Sequence, residues 1–184
     1  MKETKTIKTE RLILRKIKID DYEKIFNCWT NDKEVSKYVT WSQHKSANET
    51  KMLTEYWVND YKNEYTYRWL VTKNDNDEII GMIDAIHKDL QYMTAEVGYC
   101  YGSKHWGCGY ATEALEAVIK YLHNEGFAVV YAQHFVSNPA SGRVMEKAGM
   151  EYEARLKSRV VTKDGKREDV LVYTSVKENN NIDN

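Results

Sequence analysis

The chain is poor in the residues that punctuate, staple or anchor a polypeptide. It has a single proline, Pro139, in 184 residues, and no proline-rich linker divides it. Its three cysteines, Cys28, Cys100 and Cys108, are odd in number and form no CxxC pair, which argues against a disulfide framework. Cys100, His105 and Cys108 lack a well-spaced fourth ligand, so no metal is expected either. No apolar run reaches about 18 residues, the minimum for a membrane-spanning helix. The opening Met1-Lys2-Glu3-Thr4-Lys5 has no apolar segment of the kind a signal peptide needs. With 27 basic and 28 acidic residues the net charge is -1, so the global basic footprint of a nucleic-acid binder is missing. These absences lead us to expect a cytoplasmic chain with free thiols and no direct nucleic-acid or membrane partner.

What the chain does contain is a strand, a glycine loop and a helix in immediate succession. Val97, Tyr99 and Tyr101 alternate with Glu96, Gly98 and Cys100, the period of a strand. Gly107 and Gly109 bracket a tight loop. From Tyr110 the apolar residues Ala111, Ala114, Leu115, Val118, Ile119 and Leu122 follow helical spacing. A strand feeding a glycine loop at a helix N-terminus is an anion-binding device, because small residues expose backbone N–H groups to the positive end of the helix. A phosphate-bearing ligand is the expectation. A dinucleotide loop needs a third small residue where Thr112 stands, and an acidic residue near Val129-Val130-Tyr131-Ala132, where none occurs. The Gly-Lys-Ser/Thr of a P-loop is absent.

Lys104-His105-Trp106-Gly107-Cys108-Gly109 resembles the R/Q-x-x-G-x-G/A acyl-CoA loop of the GNAT N-acetyltransferases, with Lys104 in place of Arg or Gln. Lysine keeps the charge but loses bidentate geometry. Asn138-Pro139-Ala140-Ser141-Gly142-Arg143-Val144-Met145-Glu146-Lys147-Ala148-Gly149-Met150 resembles the N-x-x-S-x-x-(V/L)-x-E-K-x-G-(F/M) segment of the RimJ/RimL branch. Thr9-Glu10-Arg11-Leu12-Ile13-Leu14-Arg15 is similar to that branch's opening strand. Trp69-Leu70-Val71 with Ile79-Ile80-Gly81 is similar to its first hairpin, and Glu96-Val97-Gly98-Tyr99 to its E-(I/V/L)-G-Y strand. The resemblance runs in order from about Thr9 to Tyr173.

A pass along the chain supports one domain, 1–184, with a core over about 9–176 and a polar, frayed tail at 177–184. Leu12, Leu14, Ile17 and Ile19 predict a first strand. Asp20-Asp21 opens a helix through Tyr22, Ile25, Phe26 and Trp29, and a short helix is expected over 32–39. Ser46-Ala47-Asn48-Glu49 has capping-box spacing and opens a third helix carrying Met52, Leu53, Tyr56, Trp57 and Tyr61. Arg68 to Thr72 and Glu78 to His87 read as a hairpin across Asn74-Asp75-Asn76-Asp77. Strands are expected from Thr94 to Tyr101 and Val129 to Phe135, with a helix from Tyr110 to Glu125 between them. Asn138 caps a further helix with Pro139 at its first position. Tyr152 to Val161 and Asp169 to Val176 close the chain as a hairpin. A strand–helix–strand unit implies a parallel pair with a right-handed crossover. The fold class is therefore α/β, a mixed, mainly antiparallel twisted sheet with helices on both faces. The resemblance implies that the central parallel pair is splayed.

The resemblance also implies the chemistry. An amine attacks the acetyl group of acetyl-CoA directly, which calls for a deprotonated amine, an oxyanion donor and help for the leaving thiolate. Ser141 is the candidate for the last role, and Glu96 for a base acting through water, with Glu153 a weaker alternative. Pantetheine is expected along the backbone of Tyr99, Cys100 and Tyr101. The diphosphate is expected at Lys104, His105, Trp106, Gly107, Cys108, Gly109, Tyr110, Ala111 and Thr112. Asn138 is expected both to cap its helix and to contact pantetheine. Glu113, Glu146 and Lys147 read as helix surface or packing, with Lys147 also a candidate neighbour of a CoA phosphate, and His87 and His134 as structural. Trp29, Tyr38, Trp41, Tyr56 and Trp57 read as core and groove wall.

The branch favours a protein N-terminal α-amine as acceptor, notably of a ribosomal protein. A polyamine or amino sugar, a catalytically silent acyl-CoA sensor and a nucleotide-binding module stay open as alternatives. The oligomeric state is also open, a homodimer included.

Overall fold

The computed structural model describes residues 3–177, and all of the tail expected at 177–184 except Lys177 lies outside them. Strands β1 (Ile7–Lys8) and β2 (Leu12–Arg15) open the chain. The first strand stops at Arg15 instead of running to Ile19, because Asp21 pulls the backbone round. Its carboxylate accepts from Arg15 Nη1 and Nη2, each at 2.8 Å, and from the Lys18 N–H at 2.7 Å. Asp21 is therefore buried, and Ile19 is turned outward.

Helix α1 (Tyr22–Ile25) widens into a π turn over Phe26–Thr30, a feature with no local signal in the sequence. The wide turn presses Cys28 against Gly102, where a methyl group would meet the Cys28 carbonyl oxygen at 2.4 Å. Helix α2 (Lys33–Ser36) is shorter than expected and is capped by Asp32, whose Oδ1 accepts from the Glu34 N–H at 2.8 Å. Helix α3 (Ala47–Asp60) begins at its Ser46 cap.

Strands β3 (Arg68–Lys73), β4 (Ile79–Asp89) and β5 (Thr94–Tyr101) follow as a meander. Then come α4 (Tyr110–Glu125), β6 (Val129–Phe135), α5 (Pro139–Lys147), β7 (Glu151–Val161) and β8 (Arg167–Val176). Among the described residues the strands form one sheet in the order β1-β2-β3-β4-β5-β6-β8-β7. Every neighbouring pair is antiparallel except β5 and β6.

The parallel pair is short. Thr94, Ala95 and Glu96 face Val129, Val130 and Tyr131. Beyond that rung β5 stays with β4 as far as Tyr101, and β6 stays with β8 as far as Phe135. The two strands therefore part after Glu96 and Tyr131, leaving facing edges that do not pair with each other. Side-chain alternation divides the sheet into two faces. Val97 and Tyr101 pack with Leu115, Val118 and Leu122 of α4 in one core. Cys100 and Met82 join Trp29, Ile25 and Trp57 in a second core beneath α1–α3. Trp29 and Trp57 are core residues as expected, whereas Tyr38 and Tyr56 are exposed.

Candidate active site

Gly107 and Gly109 take φ values of 75° and 80°, the left-handed region that any residue with a Cβ enters at a cost. Gly109 is the N-cap residue of α4, and among the described residues no side chain caps that helix. Its first-turn N–H groups are left without intrahelical partners, as at any helix start, and sit at the positive end of the helix dipole. Tyr110, Ala111 and Thr112 form that first turn and are partly buried.

One residue quoted in the opening strand proves to belong to this loop. Arg11 donates through Nη1 to the Cys108 carbonyl at 3.0 Å and through Nε to Glu113 at 2.7 Å, and its guanidinium lies 4.8 Å from the Tyr110 ring centre. A trans peptide points its C=O and N–H in opposite directions. Holding the Cys108 carbonyl towards Arg11 thus turns the Gly109 N–H away from Arg11. Glu113 would otherwise put a bare carboxylate in the first turn of a helix whose positive end suits an anion. It accepts instead from the Thr9 hydroxyl at 2.6 Å, the Arg11 N–H at 2.8 Å and the Arg11 side chain. Burial works to raise the Glu113 pKa, but the bonds from Thr9 and Arg11 outweigh it and hold the group below the ordinary glutamate range. The signal for this tie was present in the Thr9-x-Arg11 pair and in an acid three residues into α4.

The side chains in the rest of the loop are engaged with the protein itself, in keeping with a loop expected to offer its backbone. Lys104 points away from the glycines to pair with Glu78 at 3.2 Å. His105 is buried, with Nε2 3.7 Å from Glu78 Oε1 and without a hydrogen-bond partner among the described residues. Desolvation leads in lowering the His105 pKa. Trp106 donates its indole N–H to the Tyr101 carbonyl at 2.9 Å. That acceptor, expected to serve pantetheine, is therefore already engaged, and the free edge of β5 is the part before it. Cys108 is exposed.

Across the splay, β5 and α5 meet. The Tyr99 hydroxyl lies 2.8 Å from Ser141 Oγ and 3.0 Å from the Ser141 carbonyl oxygen. Asn138 Oδ1 accepts from the Ser141 N–H at 3.4 Å and so caps α5 at the same turn. The turn sits tightly on β6: a methyl group at Gly142 would come within 2.6 Å of His134 Nε2. His134 is buried there, with its ring centre 5.7 Å from that of Tyr173. Lys147 is at the other end of α5, in its last turn, away from the splay.

Glu96 occupies the last parallel rung, at the vertex of the splay. It is 5% exposed and accepts from Gln133 Nε2 at 2.8 Å. Burial, followed by the Glu96 carboxylate, raises the pKa of the neighbouring Tyr131 phenol. The carboxylate is thus neither a solvent-facing strand residue nor the partner of a lysine or arginine. Glu153, the alternative base, is exposed at an irregular step of β7, with β6 and β8 between it and β5.

Tyr131, Gln133 and Phe135 share the Glu96 face of the sheet. At the Phe135 end a cavity of about 300 Å³ opens, lined also by Ser36, Val39, Thr40, Val161 and Lys163. Lys163 Nζ donates to the Ser36 carbonyl across it.

A splayed parallel pair, an uncapped glycine-led helix on one side and a serine in the first turn of the next helix define an acyl-CoA-type transferase fold. Residues 11–151 match the acetyltransferase (GNAT) domain family, and the chain belongs to that family. It is 31% identical over 172 residues to the uncharacterized N-acetyltransferase YoaA of Bacillus subtilis, covering 93% of this chain and 96% of the relative. It is 26% identical over 177 residues to the ribosomal-protein-serine acetyltransferase of Escherichia coli, covering 94% and 97%. The fold matches that of the ribosomal-protein α-N-acetyltransferase RimL, solved in complex with coenzyme A, with a TM-score of 0.84 at 19% identity over 94% of this chain and 98% of that one. The protein is an acyltransferase of the GNAT type and resembles the RimJ/RimL branch.

Proposed function

We propose that this acetyltransferase takes its acetyl group from acetyl-CoA and gives it to a protein N-terminal α-amine. The observation that carries the donor assignment is the meeting of Tyr99 and Ser141 across the splay, above the last parallel rung. It places a hydroxyl donor at the point where two unpaired strand edges can accept an extended amide-bearing arm. The exposed first-turn N–H groups of α4 suit a diphosphate. Acetyl-CoA supplies an activated thioester. Within this reading the loop from Lys104 to Thr112 binds through its backbone, with Arg11 setting the direction of the Gly109 N–H. Ser141 donates to the departing sulfur. Glu96, oriented by Gln133, receives the amine proton through water from the vertex of the splay.

The acceptor is argued from chemistry and kinship. An α-amine titrates near pH 8 and a lysine near 10.4, a difference of about 3 kcal/mol in the cost of the neutral nucleophile. A site whose carboxylate is buried and bonded to an amide gains most from the easier amine. The E. coli relative named for serine at a ribosomal protein agrees with that preference. On this reading the cavity at Phe135 and Lys163 receives the residues behind the amine, and the protein works in the cytoplasm.

The test is a melting comparison with acetyl-CoA, ATP and NAD. It is followed by thiol-release assays on seryl and alanyl peptides, a polyamine and an amino sugar. Stabilisation by acetyl-CoA alone and turnover of a peptide are expected. Turnover of the polyamine or amino sugar alone would replace the acceptor while leaving the donor. Acetyl-CoA binding without turnover of any amine would make the protein a sensor, and stabilisation by ATP or NAD instead would remove the donor as well.

A further inference from the structure

We propose that Tyr99 is a positioning residue for the leaving sulfur, its hydroxyl deciding whether the Ser141 hydroxyl points back to β5 or out into the splay. The inference rests on the role given to Ser141 above. The Tyr99 oxygen is within hydrogen-bond reach of two Ser141 atoms, the carbonyl oxygen at 3.0 Å and Oγ at 2.8 Å. A phenol has one hydrogen to give. Burial raises the Tyr99 pKa far more than the Ser141 bond lowers it, so that hydrogen stays in place at working pH. The carbonyl can only accept. When Tyr99 donates to the carbonyl, its oxygen accepts the Ser141 O–H, and the serine hydrogen is turned away from the splay. When Tyr99 donates to Oγ instead, the serine hydrogen is released to a partner in the splay.

The exchange is inexpensive. A carbonyl at this position in α5 also accepts from the N–H four residues on, so it is not orphaned when Tyr99 turns away. A developing anion in the splay favours the second arrangement, because a phenol–hydroxyl–anion chain polarises each bond along it. As the new N–C bond forms and the C–S bond breaks, the electron pair remains on sulfur, where Ser141 O–H meets it. The amine proton leaves separately towards Glu96 or solvent. Tyr99 neither gains nor loses a proton; it moves one hydrogen from one acceptor to another.

The test needs no acceptor. Calorimetric affinities of CoA and of acetyl-CoA, which has no titrating thiol, are measured from about pH 6 to about pH 9.5. The proteins are wild type, Tyr99→Phe, Ser141→Ala and the double variant. A free thiol titrates near 8.5, and donors aimed at the thiolate lower the bound value. The affinity for CoA relative to acetyl-CoA then rises with pH through the lowered value and levels off above about 8.5, about tenfold for each unit of lowering. We expect a rise of about tenfold in wild type, about threefold or less in Tyr99→Phe, and none in Ser141→Ala or the double variant. Tyr99→Phe keeps the ring packed against the core, and each protein's own acetyl-CoA affinity is the reference for its CoA affinity. A Tyr99→Phe rise equal to that of wild type, with Ser141→Ala flat, overturns the inference and leaves the Ser141 reading standing. A rise that survives in Ser141→Ala, or a flat wild type, overturns both. Failure of wild type to bind either ligand removes the acyl-CoA assignment on which they rest.

Discussion

At the start of α4 the chain is tied from several directions. Arg11 reaches the Cys108 carbonyl and Glu113, Thr9 reaches Glu113, Trp106 reaches the Tyr101 carbonyl, and the Ser103 N–H donates to Asp32 at 3.0 Å. At the Phe135 end of the splay, around Ser36 and Thr162–Asp164, the cavity is spanned by the Lys163 bond to Ser36 and walled by the end of α2, loop residues and strand ends. The difference is what the proposed function calls for at each end. An acyl-CoA diphosphate is the same for every acceptor, and a fixed set of backbone N–H groups suits it. Acceptors differ, and loops on a rigid scaffold can vary without disturbing the sheet.

The comparison breaks first where the fixed half carries chemistry. Ser141→Ala should lower the single-turnover rate by about 30- to 1000-fold, the ~2–4 kcal/mol typical of a lost transition-state donor. Its acetyl-CoA affinity should stay within about twofold. An unchanged rate would take Ser141 out of the mechanism. Gly109→Val forces a β-branched residue to a φ of 80° beside Arg11. Acetyl-CoA Kd should weaken more than tenfold, about 1.4 kcal/mol, in a protein that still shows a cooperative melt.

Arg11→Ala sharpens the comparison, since it touches no ligand in this account. It should weaken acetyl-CoA about fivefold, near 1 kcal/mol, and Arg11→Lys should recover only part of that, because a lysine cannot hold Cys108 and Glu113 together. Removing the carboxylate as well, in Arg11→Ala/Glu113→Gln, should restore some affinity by lifting the repulsion. Because bonding depresses the folded Glu113 pKa, the tie is present above the ordinary glutamate value and is lost only as pH falls through the lowered one. Loop binding should therefore persist undiminished at about pH 5.

Glu96→Gln keeps the shape and removes the proton acceptor. The fall in kcat/KM should be largest at low pH, where the free amine is scarce. A profile parallel to wild type and scaled by less than about twofold would make Glu96 structural. Lys104→Ala should have the smallest effect, within about twofold on acetyl-CoA Kd, since its exposed ammonium pairs with Glu78 and not with the loop.

What could be read from the sequence divides along chain distance. The glycine loop, the α4 register, the Asn138–Pro139 cap and the β5 alternation are written in neighbouring residues, and each was found where expected. Arg11 and Glu113 are 102 positions apart, Tyr99 and Ser141 42, and Gln133 and Glu96 37. Whether such pairs meet depends on strand register, and a slip of one residue would send each side chain to the other face. The inward turn of His105 and the pairing of Lys104 with Glu78 escaped for the same reason, as a motif gives the order of residues and not the direction of their side chains. The π turn at Phe26–Thr30 answers a backbone contact with Gly102, which no local pattern announces.

The central claim is that the splay between β5 and β6 holds an acyl-CoA thioester with its sulfur at Ser141. A crystal structure of the protein with acetyl-CoA tests it directly. The account predicts diphosphate oxygens on the N–H groups of Gly107–Thr112, the pantetheine amides along β5 ahead of Tyr101, and the sulfur within about 3.5 Å of Ser141 Oγ. Sulfur density on the far side of β5, or a diphosphate bound away from the α4 N-terminus, would contradict it.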